Sequence, residues 1–113
     1  RVDAVMNLAQ GALELAPATP SLHALMQLCD GADLLIGTDS GPVHLAATRG
    51  TPVVALFGPT DPAVYTPPGP RVRVVYPGAP GEPPPPRDRP RRSPWMERIA
   101  VKDVLAAISG SPA

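Results

Sequence analysis

Three features are scarce in this 113-residue chain, and each scarcity excludes a class of protein. Cysteine occurs once, at Cys29, which excludes an internal disulfide and, with it, a secreted module held together by disulfides. Net charge is absent, because ten basic side chains offset ten acidic ones, so no overall field attracts nucleic acid or an anionic membrane. The longest apolar runs, LLIG and VVALFG, fall far short of the ~20 residues of a membrane span. We therefore expect a cytoplasmic domain.

Proline is abundant instead, with 18 residues, and it is dense between residues 77 and 94. The sequence there, PGAPGEPPPPRDRPRRSP, cannot sustain backbone hydrogen-bond ladders, which predicts an extended or disordered linker. Its arginines lie among prolines rather than aromatic residues, which favours a solvated linker over a nucleic-acid site. The predicted organisation is a half-domain over residues 1–76, the linker over residues 77–94 and a C-terminal helix within residues 95–113.

Apolar spacing predicts a parallel α/β arrangement. Helical periodicity occurs in RVDAVMNLAQG, in TPSLHALMQLCDGAD and from Pro42 to Thr48. Short apolar runs predict strands at Leu13–Ala16, Leu34–Gly37, Val53–Phe57 and Val72–Tyr76. Apolar strands that alternate with short helices are typical of βαβ units whose sheet is covered on both faces.

The last amphipathic stretch, WMERIAVKDVLAAISG, predicts a helix that packs back on the sheet. The residues expected to make this contact are Val104, Leu105 and Ile108, together with Trp95. The chain begins at Arg1 inside a helical pattern and without a methionine, so we expect it to be part of a longer protein.

The stretch LLIGTDSGPVHLAATRG carries the candidate functional residues. A nucleophilic serine is disfavoured, because Ser40 lacks the Gly-x-Ser-x-Gly spacing of an α/β-hydrolase. A phosphate site fits better: a strand precedes the turn, Gly41 lets a ligand approach the backbone, and Pro42 begins a helix whose first N–H groups are free. The alternative is a plain helix start capped by Ser40, and the spacing alone leaves it open.

Two ionisable residues flank this turn. His44 lies about one turn into the predicted helix, where its imidazole can donate to the same anion; the alternative is a half-buried histidine with a backbone partner. The carboxylate of Asp39 repels phosphate, so we expect it to face hydroxyl groups such as those of a sugar.

The residues ADLLIGTDSGPVHLAATRGTPVVALFGPTDP closely resemble the nucleotide-sugar half of the lipopolysaccharide heptosyltransferase family, glycosyltransferase family 9. The stretches LAPATPSLHALMQLCDGADLLIG and IAVKDVLAAI resemble further elements of the same family. The resemblance implies a GT-B fold, in which two Rossmann-like domains face each other across a cleft. This chain then forms part of the C-terminal domain, with a Rossmann-like parallel sheet and helices on both faces.

The resemblance also implies a role for each candidate residue. Ser40, Gly41 and His44 bind the diphosphate of ADP-heptose or a similar donor, and Asp39 binds the hydroxyl groups of the donor sugar. The residues that border the nucleobase are Pro20, Ser21 and Leu22. The family transfers the sugar with inversion and without a metal or a cofactor. Its base and its acceptor site belong to the N-terminal domain, expected before Arg1, so no catalytic residue is assigned here and this chain alone is expected to be inactive.

The implied partners are a nucleotide-sugar donor and a glycan or lipid-linked acceptor, without nucleic acid. We expect the full-length protein at the cytoplasmic face of the inner membrane, and self-association of the fragment. Two other interpretations stay open: a GT-B-like sugar-nucleotide epimerase, and a non-catalytic regulatory or scaffolding module that retains the sheet.

Overall fold

The structure, a computed structural model, describes residues 2–79, 81–85 and 94–109. In chain order the elements are α1 (Val2–Ala9), α2 (Leu22–Asp30), β1 (Leu35–Thr38), α3 (Gly41–Thr48), β2 (Val53–Leu56), α4 (Pro62–Tyr65), β3 (Val72–Val75), a 3₁₀ turn (Met96–Arg98) and α5 (Val101–Ser109). No helix among the described residues is long and apolar enough to cross a membrane.

The three strands form one parallel sheet in the order β1, β2, β3. Leu35 pairs with Val53, and Val53 pairs with Val72, so strands that follow one another along the chain lie side by side. Parallel neighbours need a crossover connection, which α3 supplies between β1 and β2. The predicted α/β fold with a parallel sheet is confirmed, as are the strands near residues 34–37, 53–57 and 72–76.

The core lies between one face of the sheet and helices α2 and α3. Val53 and Ala55 of β2 point to this face and have no exposed surface, and Val43 and Ala46 of α3 pack against them. A glycine on β1 permits the close approach of α3, because a Cβ at Gly37 would lie 2.7 Å from Cγ2 of Val43. The helix that carries the candidate site is therefore fixed against the sheet from its first turn.

Helix α5 packs on the opposite face, over β2 and β3. Nη1 of Arg73 donates to the carbonyl oxygen of Ala107 across 3.3 Å, and Val104 is half-buried. Leu105 is 57% exposed, so the prediction that it docks on the sheet is wrong. Successive residues of a helix are rotated by about 100°, and the face formed by Val104, Ala107 and Ile108 leaves Leu105 beside the contact.

The strand predicted at Leu13–Ala16 is not formed, which corrects the expected sheet. The segment has no regular structure, and the side chains of Leu13 and Leu15 are 48% and 71% exposed. A strand is stable only beside another strand, and no described strand pairs with this segment. Alternation over three residues was too short a signal to define a strand by itself.

The start of the predicted linker is a hydrogen-bonded turn rather than an extended chain. The N–H of Glu82 donates to the carbonyl of Ala79, and the N–H of Ala79 donates to Oε1 of Glu82, both across 2.9 Å. The hydroxyl of Tyr76 donates to the carbonyl of Glu82 at 2.6 Å. The arginines of the linker fall in residues 86–93, outside the described residues, so the prediction for them stays a prediction.

Beyond the linker, the chain returns to the sheet at Trp95. The rings of Trp95 and Tyr76 lie 5.4 Å apart at an angle of 60°, and the guanidinium of Arg98 lies 5.5 Å from the centre of the Trp95 ring. A Cβ at Gly58 would lie 2.6 Å from the backbone nitrogen of Met96. The loop after β2 and the 3₁₀ turn are thus packed backbone to backbone.

Candidate functional site

The candidate residues lie at the carboxyl edge of the sheet. Strand β1 ends at Thr38, and Asp39 and Ser40 form the turn that leads into α3. Because β2 runs parallel to β1, with Leu56 opposite Thr38, the loop that follows β2 begins at the same edge. In open parallel α/β sheets this edge is where ligands bind.

Helix α3 begins at this edge, and an ion pair joins its carboxyl end to that of α2. Asp30 ends α2 and Arg49 follows α3; Nε of Arg49 donates to Oδ1 of Asp30 at 2.8 Å, and Nη2 donates to Oδ2 at 2.5 Å. The guanidinium holds the pKa of the Asp30 carboxyl below its usual value, chiefly through these hydrogen bonds. The two helices have nine and eight residues and also pack against each other.

The amino end of α2 is closed by its own cap. Oγ of Ser21 accepts a hydrogen bond from the N–H of Ala24 across 3.1 Å. The three residues expected to border a nucleobase, Pro20, Ser21 and Leu22, are exposed. Their expected contact with a base stays a prediction.

The amino end of α3 has no such cap. Ser40 precedes the helix in an extended conformation, but its Oγ donates back to the carbonyl of Thr38 at 3.2 Å and makes no capping bond. The alternative in which Ser40 caps the helix is therefore wrong. No described side chain accepts from the N–H of Gly41 or of Val43, and Pro42 has no N–H. The positive end of the helix dipole is thus left open.

Open space lies in front of this helix end. A Cβ built on Gly41 meets no atom within 4 Å, and the backbone of Gly41 is not in the left-handed region. Neither packing nor backbone conformation therefore demands a glycine at this position. The space beside the uncapped N–H groups is available to a ligand, as the phosphate interpretation requires.

Asp39 and His44 form a pair that the sequence analysis did not predict. Nε2 of His44 lies 2.8 Å from Oδ1 of Asp39; the Asp39 side chain is 15% exposed and that of His44 is 43% exposed. The alternative in which a backbone group partners His44 is wrong, since its partner is a carboxylate. Only the three-dimensional turn between β1 and α3 brings residues five apart into contact, so spacing gave no direct signal.

The loop after β2 adds a polar residue that the sequence analysis did not single out. Oγ1 of Thr60 is buried and has no hydrogen-bond partner among the described residues. Its neighbour Asp61 caps α4, because Oδ1 accepts from the N–H of Ala63 at 2.9 Å. The sequence GPTD after an apolar strand could have indicated these two residues, since threonine and aspartate are common where a helix starts.

A match to a known family covers the residues at this edge of the sheet. The model of glycosyltransferase family 9 (heptosyltransferase) matches residues 2–85, which include both helix starts and all three strands. This chain belongs to glycosyltransferase family 9. The resemblance on which the sequence analysis relied is thereby confirmed. Helix α5 of this family 9 chain lies beyond the matched residues.

Curated relatives of the family 9 chain carry consistent names. It is 37% identical to lipopolysaccharide heptosyltransferase 3 of Escherichia coli over 89 residues, which are 79% of the chain and 25% of that protein. It is 42% identical to lipopolysaccharide heptosyltransferase 1 of Campylobacter coli over 53 residues, which are 47% of the chain and 15% of that protein. The chain thus spans about a quarter of the length of the former relative. No solved structure matches it.

Proposed function

We propose that this chain is the donor-binding part of an inverting, metal-independent glycosyltransferase. The donor is a nucleotide-diphospho-sugar such as ADP-heptose, and the whole protein acts in the synthesis of lipopolysaccharide core or a related glycan. Family membership and the names of the relatives support the reaction class. The observation that carries the proposal is the uncapped amino end of α3 with open space before Gly41.

An anion suits this helix end for electrostatic and geometric reasons. The dipole places about half a positive charge there, and the N–H groups of Gly41 and Val43 lack side-chain acceptors in the described structure. Each charge-assisted hydrogen bond contributes about 1.5–3 kcal/mol before desolvation. Two such bonds supply about 3–6 kcal/mol, so a millimolar diphosphate site needs most of that energy to remain after desolvation.

The same groups suit the chemistry of transfer. When the bond between the anomeric carbon and the diphosphate oxygen breaks, the electron pair stays on the diphosphate, whose negative charge grows. N–H groups that are already fixed by α3 stabilise that charge without reorganising. In this proposal, the base that activates the acceptor, and the site that binds the acceptor, belong to the part of the protein outside this chain.

The hydrogen bonds refine the roles of the turn residues. The Ser40 hydroxyl donates to the carbonyl of Thr38, so the backbone at Ser40, rather than its side chain, faces the diphosphate. Oδ1 of Asp39 is occupied by His44, and Oδ2 is the atom that accepts from a sugar hydroxyl. The exposed side chain of Leu22 supplies apolar surface for the nucleobase.

An NMR titration of the chain tests the proposal. ADP should shift the amide signals of Ser40, Gly41 and Val43, whereas adenosine, which lacks the diphosphate, should leave them almost unchanged. The amide of Val104 is an internal control, because it donates to the carbonyl of Ala100 and lies in α5, which packs on the opposite face of the sheet. We expect millimolar affinity, which corresponds to about 4 kcal/mol. If the three amides do not move at ADP concentrations well above millimolar, α3 is not a diphosphate site.

A further inference from the structure

The bond between Asp39 and His44 determines which nitrogen of the imidazole carries hydrogen. An ionised carboxylate accepts hydrogen bonds and donates none, so Nε2 of His44, 2.8 Å from Oδ1 of Asp39, must be the donor. In the neutral ring the other nitrogen, Nδ1, is then a lone-pair acceptor. It becomes a donor only when the ring takes up a second proton.

The ring nitrogen that carries the hydrogen determines what His44 can bind. Phosphate oxygens accept hydrogen bonds, so they gain nothing from a neutral ring whose remaining nitrogen also accepts. An imidazolium, in contrast, donates from Nδ1 and adds a positive charge. His44 is the fourth residue of α3, at the uncapped end, and its side chain is 43% exposed, so the ring remains accessible to a ligand.

We propose that diphosphate binding at the start of α3 is coupled to the uptake of a proton by His44, and that Asp39 is the positioning residue that imposes this coupling. The inference rests on the proposed function and adds a condition to it. While Nε2–H of His44 donates to Asp39, the imidazole offers a donor to the diphosphate only after Nδ1 has taken up a proton. A neutral His44 instead favours a hydroxyl group as its partner.

No other described ionisable group competes for His44. Helix α2, which packs against α3, carries three ionisable groups: His23, whose Nε2 lies 3.3 Å from Nε2 of Gln27, the buried thiol of Cys29, and Asp30, which binds Arg49. Strands β1 and β2 carry no ionisable side chains, and Asp61 in the loop after β2 caps α4. Within the described residues, Asp39 is therefore the charged group that contacts the ring.

The coupling can be measured with ADP-ribose as the probe, because its diphosphate has no group that titrates near neutral pH. Calorimetry in two buffers of different ionisation enthalpy gives the number of protons taken up on binding. We expect an uptake that approaches about one proton at alkaline pH, with an affinity that falls by up to about tenfold per pH unit. The His23→Gln variant removes the second of the two histidines and should behave like the parent.

Variants of the pair separate positioning from simple contact. In Asp39→Asn the amide can donate to Nε2, which allows the neutral ring to carry its hydrogen on Nδ1 and to donate without proton uptake. Binding should persist in that variant, while proton uptake and the pH dependence decrease. His44→Gln should weaken binding and remove the proton uptake, because a glutamine side chain cannot take up a proton.

Two results would overturn the inference. One is a parent protein that binds ADP-ribose through the amides of Gly41 and Val43 without proton uptake; the proposed function then survives and the coupling does not. The other is a ¹⁵N spectrum of the free protein in which neutral His44 carries its hydrogen on Nδ1. A complete absence of amide shifts with ADP-ribose would overturn the proposed function, and the inference with it.

Discussion

Helices α2 and α3 pack against each other, but only one of them has a side-chain cap at its start. Both are preceded by a serine in an extended conformation, with φ of −141° at Ser21 and −159° at Ser40. Ser21 accepts from the N–H of Ala24, the third residue of its helix, whereas Ser40 leaves the corresponding N–H of Val43 without a side-chain acceptor. A serine before a helix therefore does not by itself establish a cap.

The difference comes from the residues around each serine. The carbonyl of Thr38, at the end of β1, lies within 3.2 Å of the Ser40 hydroxyl, while Ser21 follows a segment without regular structure. Pro42 removes one of the N–H groups that a cap at α3 could have satisfied. The donors at the start of α3 are therefore available to a ligand, whereas the corresponding donor of α2 is already used by the protein.

The largest effect is expected when the open end of α3 is filled. Gly41→Val places a branched side chain in open space, since a Cβ at this position has no neighbouring atom within 4 Å, and it should abolish the ADP-induced amide shifts. Thr48→Val is the matched control, because it puts the same side chain at the exposed last residue of the same helix. ADP binding by Gly41→Val at the affinity of the parent would show that the ligand does not approach this backbone.

A smaller effect should follow when α3 receives a cap like that of α2. Ser40→Asp supplies an acceptor for the N–H of Val43 and a negative charge at the anion site, so ADP should bind about tenfold more weakly while the helix becomes more stable. Ser40→Ala, which adds neither, should change ADP affinity by less than about twofold because only an exposed hydrogen bond is lost. Tighter ADP binding by Ser40→Asp would contradict an anion site.

The sequence predicted the strands and the helix that carry this site better than it predicted the contacts within the site. Three strands and helix α3 followed from runs of apolar residues, which report burial directly, and the turn residues followed from their place between strand and helix. The strand at Leu13–Ala16 failed because pairing depends on a distant neighbour that no local pattern contains.

Contacts across a turn or between elements could also not be predicted from the sequence. The hydrogen bond of His44 to Asp39, and the choice of Thr38 as partner of Ser40, depend on rotamers and on the shape of the turn. The exposure of Leu105 depends on which side of α5 meets the sheet, and that is decided by the fit of smaller residues such as Ala107.

Removal of the cap of α2 should lower stability more than the corresponding change at α3. Ser21→Ala leaves the N–H of Ala24 without its acceptor and should cost about 1 kcal/mol in the free energy of unfolding, measured with urea. Ser40→Ala removes no capping bond and should cost clearly less. Equal losses in the two variants would show that the two helix ends are energetically alike, against the comparison drawn from their hydrogen bonds.

The smallest effect concerns the ion pair that joins the ends of the two helices. The pKa of Asp30 is lowered in the folded chain, chiefly by its hydrogen bonds to Arg49, so the pair stabilises the fold above the unfolded-state pKa of about 3.9. This stability is lost as the pH falls through the lower folded-state value. Thermal unfolding should therefore show a small difference between the parent and Asp30→Asn at neutral pH, which shrinks below about pH 4 and at high salt. Because both side chains are partly exposed, the difference should be small, and ADP binding at α3 should change little. If Asp30→Asn instead moves the amide signals of Val43 and Ala24 and weakens ADP binding, the far-end ion pair controls how the two amino ends are placed.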